Sequence, residues 1–130
     1  MNYEKLLEEA KKASAAAYAP YSRFSVGAAL LTASGEIFTG CNVENASYGL
    51  TICAERVAVT KAVSAGFREF EAIAVYAPTQ EPISPCGACR QVLAEFGPDA
   101  DVVMGNARGA YVVAKVKELL PGAFTLKTEL

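Results

Sequence analysis

The chain has 130 residues, of which 52% are hydrophobic and 20% charged, with a formal net charge of −2 and no histidine. That length suits a single domain over residues 1–130, and the apolar content excludes a largely disordered polymer. The slight acidity, with no long run of Lys and Arg and no apolar stretch near the ~18 residues of a membrane span, excludes a phosphate-tracking surface and a transmembrane helix, so neither nucleic acid nor membrane is an expected partner.

In chain order, Tyr3, Leu6, Leu7, Ala10, Ala13 and Ala17 recur at helical spacing among Glu and Lys, which predicts an amphipathic helix over Asn2 to Ala17 that ends before Pro20. The same stretch mixes acids and bases where an export signal runs from basic to apolar, so a cytoplasmic protein is expected. Phe24 to Ala33 and Glu36 to Val43 read as two strands joined at Ser34-Gly35. A helix follows from Cys53 to Ala65, with Gly66 as its stop. Ala72 to Ala77 is a strand broken by Pro78, Gly87 to Phe96 a helix, Asp101 to Met104 and Ala110 to Ala114 strands, and Val116 to Leu120 a short helix closed by Pro121-Gly122. Five strands interleaved with helices predict an α/β fold of three layers, a mixed sheet with helices on both faces.

Cysteine carries the chemistry. Cys86-Gly-Ala-Cys89 sets two thiols at the start of a predicted helix, a spacing shared by structural zinc sites, redox pairs and catalytic metal sites. Cys53-Ala54-Glu55 adds a third thiol with a carboxylate beside it at the start of another helix, so two helix N-termini can converge on one ion. In a reducing cytosol thiols serve metals or catalysis more often than disulfides. Three thiolates leave one tetrahedral position for water, the layout of a catalytic zinc, whereas a structural site would need Cys41 as a fourth ligand. Alternation along the second strand points Cys41 with Ile37, Thr39 and Val43, where a core thiol is expected.

Three thiolates outweigh the charge of a zinc ion, so cations are needed nearby. Arg56 and Arg90, each directly following a motif residue, are expected to donate to the ligand sulfurs, the alternative being solvated surface charge. Glu55 is the expected proton carrier, the alternative being a first-turn acid that only complements the helix dipole.

Cys53-Ala-Glu-Arg56 and Pro85-Cys-Gly-Ala-Cys-Arg-Gln91 resemble the zinc signature of the small homotetrameric cytidine deaminases. Tyr18-Ala-Pro-Tyr-Ser22, Phe24-Ser-Val-Gly-Ala-Ala29, Gly40-Cys-Asn-Val-Glu-Asn45 and Leu119-Leu-Pro-Gly-Ala-Phe124 extend the resemblance over nearly the whole chain, although Val57 stands where the family often has Thr. The resemblance implies a cytidine deaminase-like fold and one zinc per subunit on Cys53, Cys86 and Cys89, with Glu55 as the acid/base. It implies that Asn42 and Glu44 hold the sugar, that Phe24 and Ala54 lie near the base, and that Ala46, Tyr48 and Phe124 approach a neighbouring subunit's site. The implied activity is deamination of cytidine and deoxycytidine in pyrimidine salvage. Asn42 and Glu44 argue against a blasticidin-type aminohydrolase, which needs no sugar clamp; the more distant alternative is a non-enzymatic four-cysteine zinc protein.

Overall fold

The computed structural model describes residues 2–126. Its elements are α1 (Tyr3–Ser14), β1 (Gly27–Thr32), β2 (Ile37–Cys41), a 3-10 turn (Tyr48–Leu50), α2 (Ala54–Ser64), β3 (Phe70–Tyr76), α3 (Gly87–Phe96), β4 (Asp101–Gly105), β5 (Tyr111–Lys115) and α4 (Val116–Leu119). The strands form one five-stranded sheet in the order β2-β1-β3-β4-β5. Only β3 and β4 run parallel, and α3 makes the crossover between them. The expected mixed sheet and element order are therefore both present.

Two cores explain the three layers. On one face α1 buries Leu6 and Ala10 against Ala29, Leu31, Ala72, Ala74 and Val103. On the other, α2, α3 and α4 cover Ala28, Leu30, Ile73 and Val102 with Ala58, Val59, Leu93 and Val116. Alternation along β1 sends Ala29 and Leu31 one way and Ala28 and Leu30 the other, which is why a strand buried at every position divides its residues between two cores. Small residues bring helix and sheet close: a Cβ at Gly27 would lie 1.8 Å from the Ala10 carbonyl oxygen, and one at Gly40 would lie 2.5 Å from that of Ala54. Gly40 thereby lets the first turn of α2 rest directly on β2.

Local chemistry sets the ends. The Asn2 side chain caps α1 by accepting from the Lys5 amide. Gly66, at φ 100°, ends α2 with the Gly66 amide on the Val63 carbonyl and the Phe67 amide on that of Ala62, as the sequence leads one to expect. The first helix stops three residues before Ala17 because the amides of Ala15, Ala16 and Ala17 turn to the tighter i−3 carbonyls. β1 begins at Gly27 and not at Phe24, because the amides of Phe24 and Val26 bond to the side chains of Ser22 and Asn42. Past Cys41 the backbone leaves β1, and Val43 bridges Tyr18 and Ile52. Among the described residues no helix is long and apolar enough to cross a membrane.

Candidate active site

Cys53 is the N-cap of α2 and Cys86 the N-cap of α3, and neither side chain caps its own helix. Both sit where Ser, Thr, Asp or Asn would normally satisfy the orphan amides. The thiols are instead directed at each other, and with Cys89, in the first turn of α3, their sulfurs lie within 4.8 Å of one another. The Sγ atoms of Cys53 and Cys86 are 3.9 Å apart. Sulfurs ~2.3 Å from a tetrahedral ion would stand about 3.8 Å apart, so the donor set and its spacing fit zinc. No disulfide competes, since all four cysteines are free.

The electrostatics favour deprotonated sulfur. Arg56, three residues into the helix from Cys53, donates from Nη2 to Cys53 Sγ at 3.6 Å and to the Thr51 carbonyl at 3.4 Å, and its Nε is buried with no hydrogen-bond partner. A hydrogen bond from the Cys89 thiol, with the Arg56 guanidinium beside it, lowers Cys53 to about 5, while Cys89 is held up by the same bond and by its burial. The shared thiol proton and the guanidinium thus favour the charged form of Cys53. Two helix N-termini add partial positive charge at the same point.

Glu55, in the first turn of α2, is 5% exposed and lines a cleft of about 270 Å³ with Cys53 and Cys86. Burial pushes its carboxyl up to about 7; the charge on Cys53 adds to the rise, and Arg56 opposes it. A carboxyl that both takes and gives a proton near neutrality has the property a general acid/base needs.

The far end of the cleft is built from the Tyr18–Val43–Ile52 bridges, which bring Asn42 and Glu44 beside Thr51 and Cys53. Asn42 accepts from the Val26 amide at 2.9 Å and donates to the Phe24 carbonyl at 2.8 Å. Glu44 accepts from the amides of Tyr21 and Ser22 and from the Ser22 hydroxyl. The Ser22 bond is the main cause holding the Glu44 carboxyl below its ordinary value. Phe24 and the buried Ala54 also line the cleft.

Other expected residues lie elsewhere. Tyr48 is 74% exposed, packed at a tilt on Tyr21 beside Glu44, and Ala46 is exposed in the preceding loop. Phe124 is 70% exposed next to α3 and α4, where its carbonyl accepts from Gln91, and it does not line the cysteine cleft of its own chain. Cys41 pairs with Gly27, whose missing Cβ would point at α1, so it faces the opposite side of the sheet from the three clustered sulfurs. On an edge strand it is half-buried, less enclosed than a core thiol.

Arg90 corrects an expectation. It gives nothing to sulfur: Nε donates to the Pro85 carbonyl at 2.8 Å, Nη1 to the Leu119 carbonyl at 2.7 Å and Nη2 to Ser84 Oγ at 2.8 Å. Oxygen acceptors supplied by the Cys86 loop and the end of α4 outcompete sulfur, a weak acceptor. Ser22, Thr51, Ile83 and Ser84 line the cleft without having been singled out from the sequence. Ser22 closes the Tyr18-to-Ser22 motif without a role having been assigned to it, and for Thr51 the only signal was closeness to Cys53.

The model of the cytidine and deoxycytidylate deaminase zinc-binding region matches residues 1–106. Cytidine deaminases of Sporosarcina psychrophila and Halalkalibacterium halodurans are 55% and 56% identical over 126 residues, covering 96% of this chain and 93% and 96% of theirs. The crystal structure of cytidine deaminase from Burkholderia pseudomallei superposes with a TM-score of 0.93 at 55% identity, covering 95% of this chain and 100% of that one. A blasticidin-S deaminase of Bacillus cereus is more distant, 34% identical over 112 residues, or 80% of this chain and 79% of that one.

Proposed function

The chain belongs to the zinc-binding cytidine deaminase family, and from that membership we propose that it converts cytidine and deoxycytidine to uridine and deoxyuridine, releasing ammonia, through the cleft between α2 and α3. The carrying observation is the convergence of three sulfurs with a buried glutamate beside them. Cys53, Cys86 and Cys89 would hold the zinc ion, which when bound would supply Lewis-acid activation of a water molecule. Glu55 accepts a proton from the water that adds to C4 and returns it to N3 of the base; it then takes the proton of the new C4 hydroxyl and gives it to the departing amino group, so that ammonia leaves and C4 keeps the oxygen as a carbonyl. Arg56 offsets the negative charge of the sulfurs through Cys53. Arg90 holds the loop that carries Cys86.

Asn42 and Glu44 hold the sugar, the Glu44 carboxylate as an acceptor, Phe24 packs near the base, and Ala54 shapes the floor beneath it. The clamp at Asn42 and Glu44 supports a nucleoside over the blasticidin reading. The four-cysteine structural reading is disfavoured by Cys41 lying on the α1 face of the sheet. Tyr18, Val43, Tyr48, Leu50 and Ile52 are exposed on and between the bridged segments that flank Glu44, an apolar surface that suits a homotetramer in which Ala46, Tyr48 and Phe124 approach a neighbour's site. Free thiols at the metal cluster suit a cytoplasmic enzyme of pyrimidine salvage. The test is the ultraviolet assay of cytidine conversion with and without a zinc chelator, alongside metal analysis: one zinc per subunit and chelator-sensitive turnover are expected, and full activity without metal defeats the reading.

A further inference from the structure

Glu44 is half-buried at the edge of the cleft, and its two oxygens are engaged unequally. Oε1 accepts both the Tyr21 amide at 3.0 Å and the Ser22 amide at 3.1 Å, which uses both of its lone-pair directions. Among the described residues Oε2 accepts only the Ser22 hydroxyl, which leaves it one. The same hydroxyl oxygen accepts the Phe24 amide at 3.0 Å, so a single atom links the carboxylate to the segment that lines the cleft. Arg23 between them sits at φ 58°, in the left-handed region that disfavours a residue with a Cβ. The hydrogen bonds on either side of Arg23 hold that strained turn.

We propose that Ser22 is the positioning residue of the sugar end of the cleft: by donating to Oε2 of Glu44 it holds that oxygen with one lone pair open to accept a hydroxyl of the nucleoside sugar. This rests on the reading of Glu44 as a sugar acceptor. The same bond is the main cause of the lowered pKa of Glu44. Ser22 itself touches no reacting atom, and its hydroxyl is already committed as donor to Glu44 and acceptor from Phe24.

The test is steady-state kinetics of the zinc-loaded enzyme on cytidine and on 2′,3′-dideoxycytidine, which lacks the 2′ and 3′ hydroxyls of the sugar that Glu44 would accept. Ser22→Ala is expected to raise KM for cytidine about five-fold, the scale of one exposed hydrogen bond to a charged acceptor, with kcat within about two-fold. KM for the dideoxynucleoside should be unchanged, and Ser22→Thr, which keeps the hydroxyl, should restore the cytidine value. Equal increases for both nucleosides would mean that Ser22 merely supports the Phe24 segment, and an unchanged cytidine KM would mean that it does nothing for Glu44; either overturns the proposal. Glu44→Gln separates the two layers. If it discriminates between the nucleosides and Ser22→Ala does not, the Ser22 assignment falls while the Glu44 reading stands. If Glu44→Gln treats both nucleosides alike, the Glu44 reading falls and takes the Ser22 assignment with it.

Discussion

Glu55 and Glu44 line the same cleft and are pushed in opposite directions. Glu55, buried in the first turn of α2, is raised to about 7 by the loss of water around it. Glu44, half-buried on a loop, is lowered by the hydroxyl and amides that donate to it. One region keeps its carboxyl ready to exchange a proton and rests on two helix N-termini packed into the sheet. The other keeps its carboxylate charged to accept hydrogen bonds and is built from turns. The contrast teaches that residue type sets what a group is able to do, while solvation and donors decide which of its forms is present.

The sharpest way to break the comparison is Glu55→Gln. The amide keeps the shape but carries no proton, so turnover should fall ~10²- to 10⁴-fold while metal analysis still finds zinc. Near-normal turnover would show that the buried carboxyl is not the proton carrier. Next in size is Arg90→Ala, which releases the Cys86 loop from α3 and the end of α4. Zinc affinity, measured by chelator competition, should drop ~10- to 100-fold, and Arg90→Lys should recover little because an ammonium cannot replace a three-way fork. Unaltered affinity would show that the helix frame holds Cys86 without this tie.

A smaller effect lies outside both regions and calibrates them. Asp101 accepts from the Tyr3 hydroxyl and pairs with Lys115 at 2.8 Å, which keeps its pKa below the ordinary carboxylate value. A depressed folded-state pKa means that this stabilisation is present above the unfolded value near ~3.9 and disappears as pH falls through the folded one. Because the pair is partly exposed, Asp101→Asn should cost no more than about 1 kcal/mol at pH 7, roughly 2–4 °C in melting temperature, and the gap to wild type should close in acid. A gap that widens in acid would refute the sign. The smallest effect is expected from Cys41→Ser, which should leave zinc content and turnover unchanged; loss of metal would revive a four-cysteine site.

Much of the molecule was legible before folding. The period of Leu6, Leu7 and Ala10, the stop at Gly66 and the turn at Ser34-Gly35 depend on neighbours a few residues away, and such local rules predicted every helix and strand in order. The boundaries drifted where side chains took backbone partners: Asn42 and Ser22 drew Val26 and Phe24 out of β1, and nothing in a strand pattern announces such bonds. The three thiols and Glu55 were visible because metal chemistry demands particular residue types at particular spacings. Arg90 was misread because adjacency to Cys89 says nothing about which acceptors surround its guanidinium.

By itself, then, the sequence determined which groups were available: sulfur for an ion, one carboxylate next to it, and an α/β order able to bring two helix starts together. Only the tertiary structure decided their state and orientation. Burial of Glu55, the turning of Arg90 toward Leu119, the facing of Cys41 to α1 and the hold of Ser22 on Glu44 are all contacts between segments distant in the chain. Solvation and hydrogen-bond competition depend on what arrives in space, and no local pattern along the chain encodes that arrival.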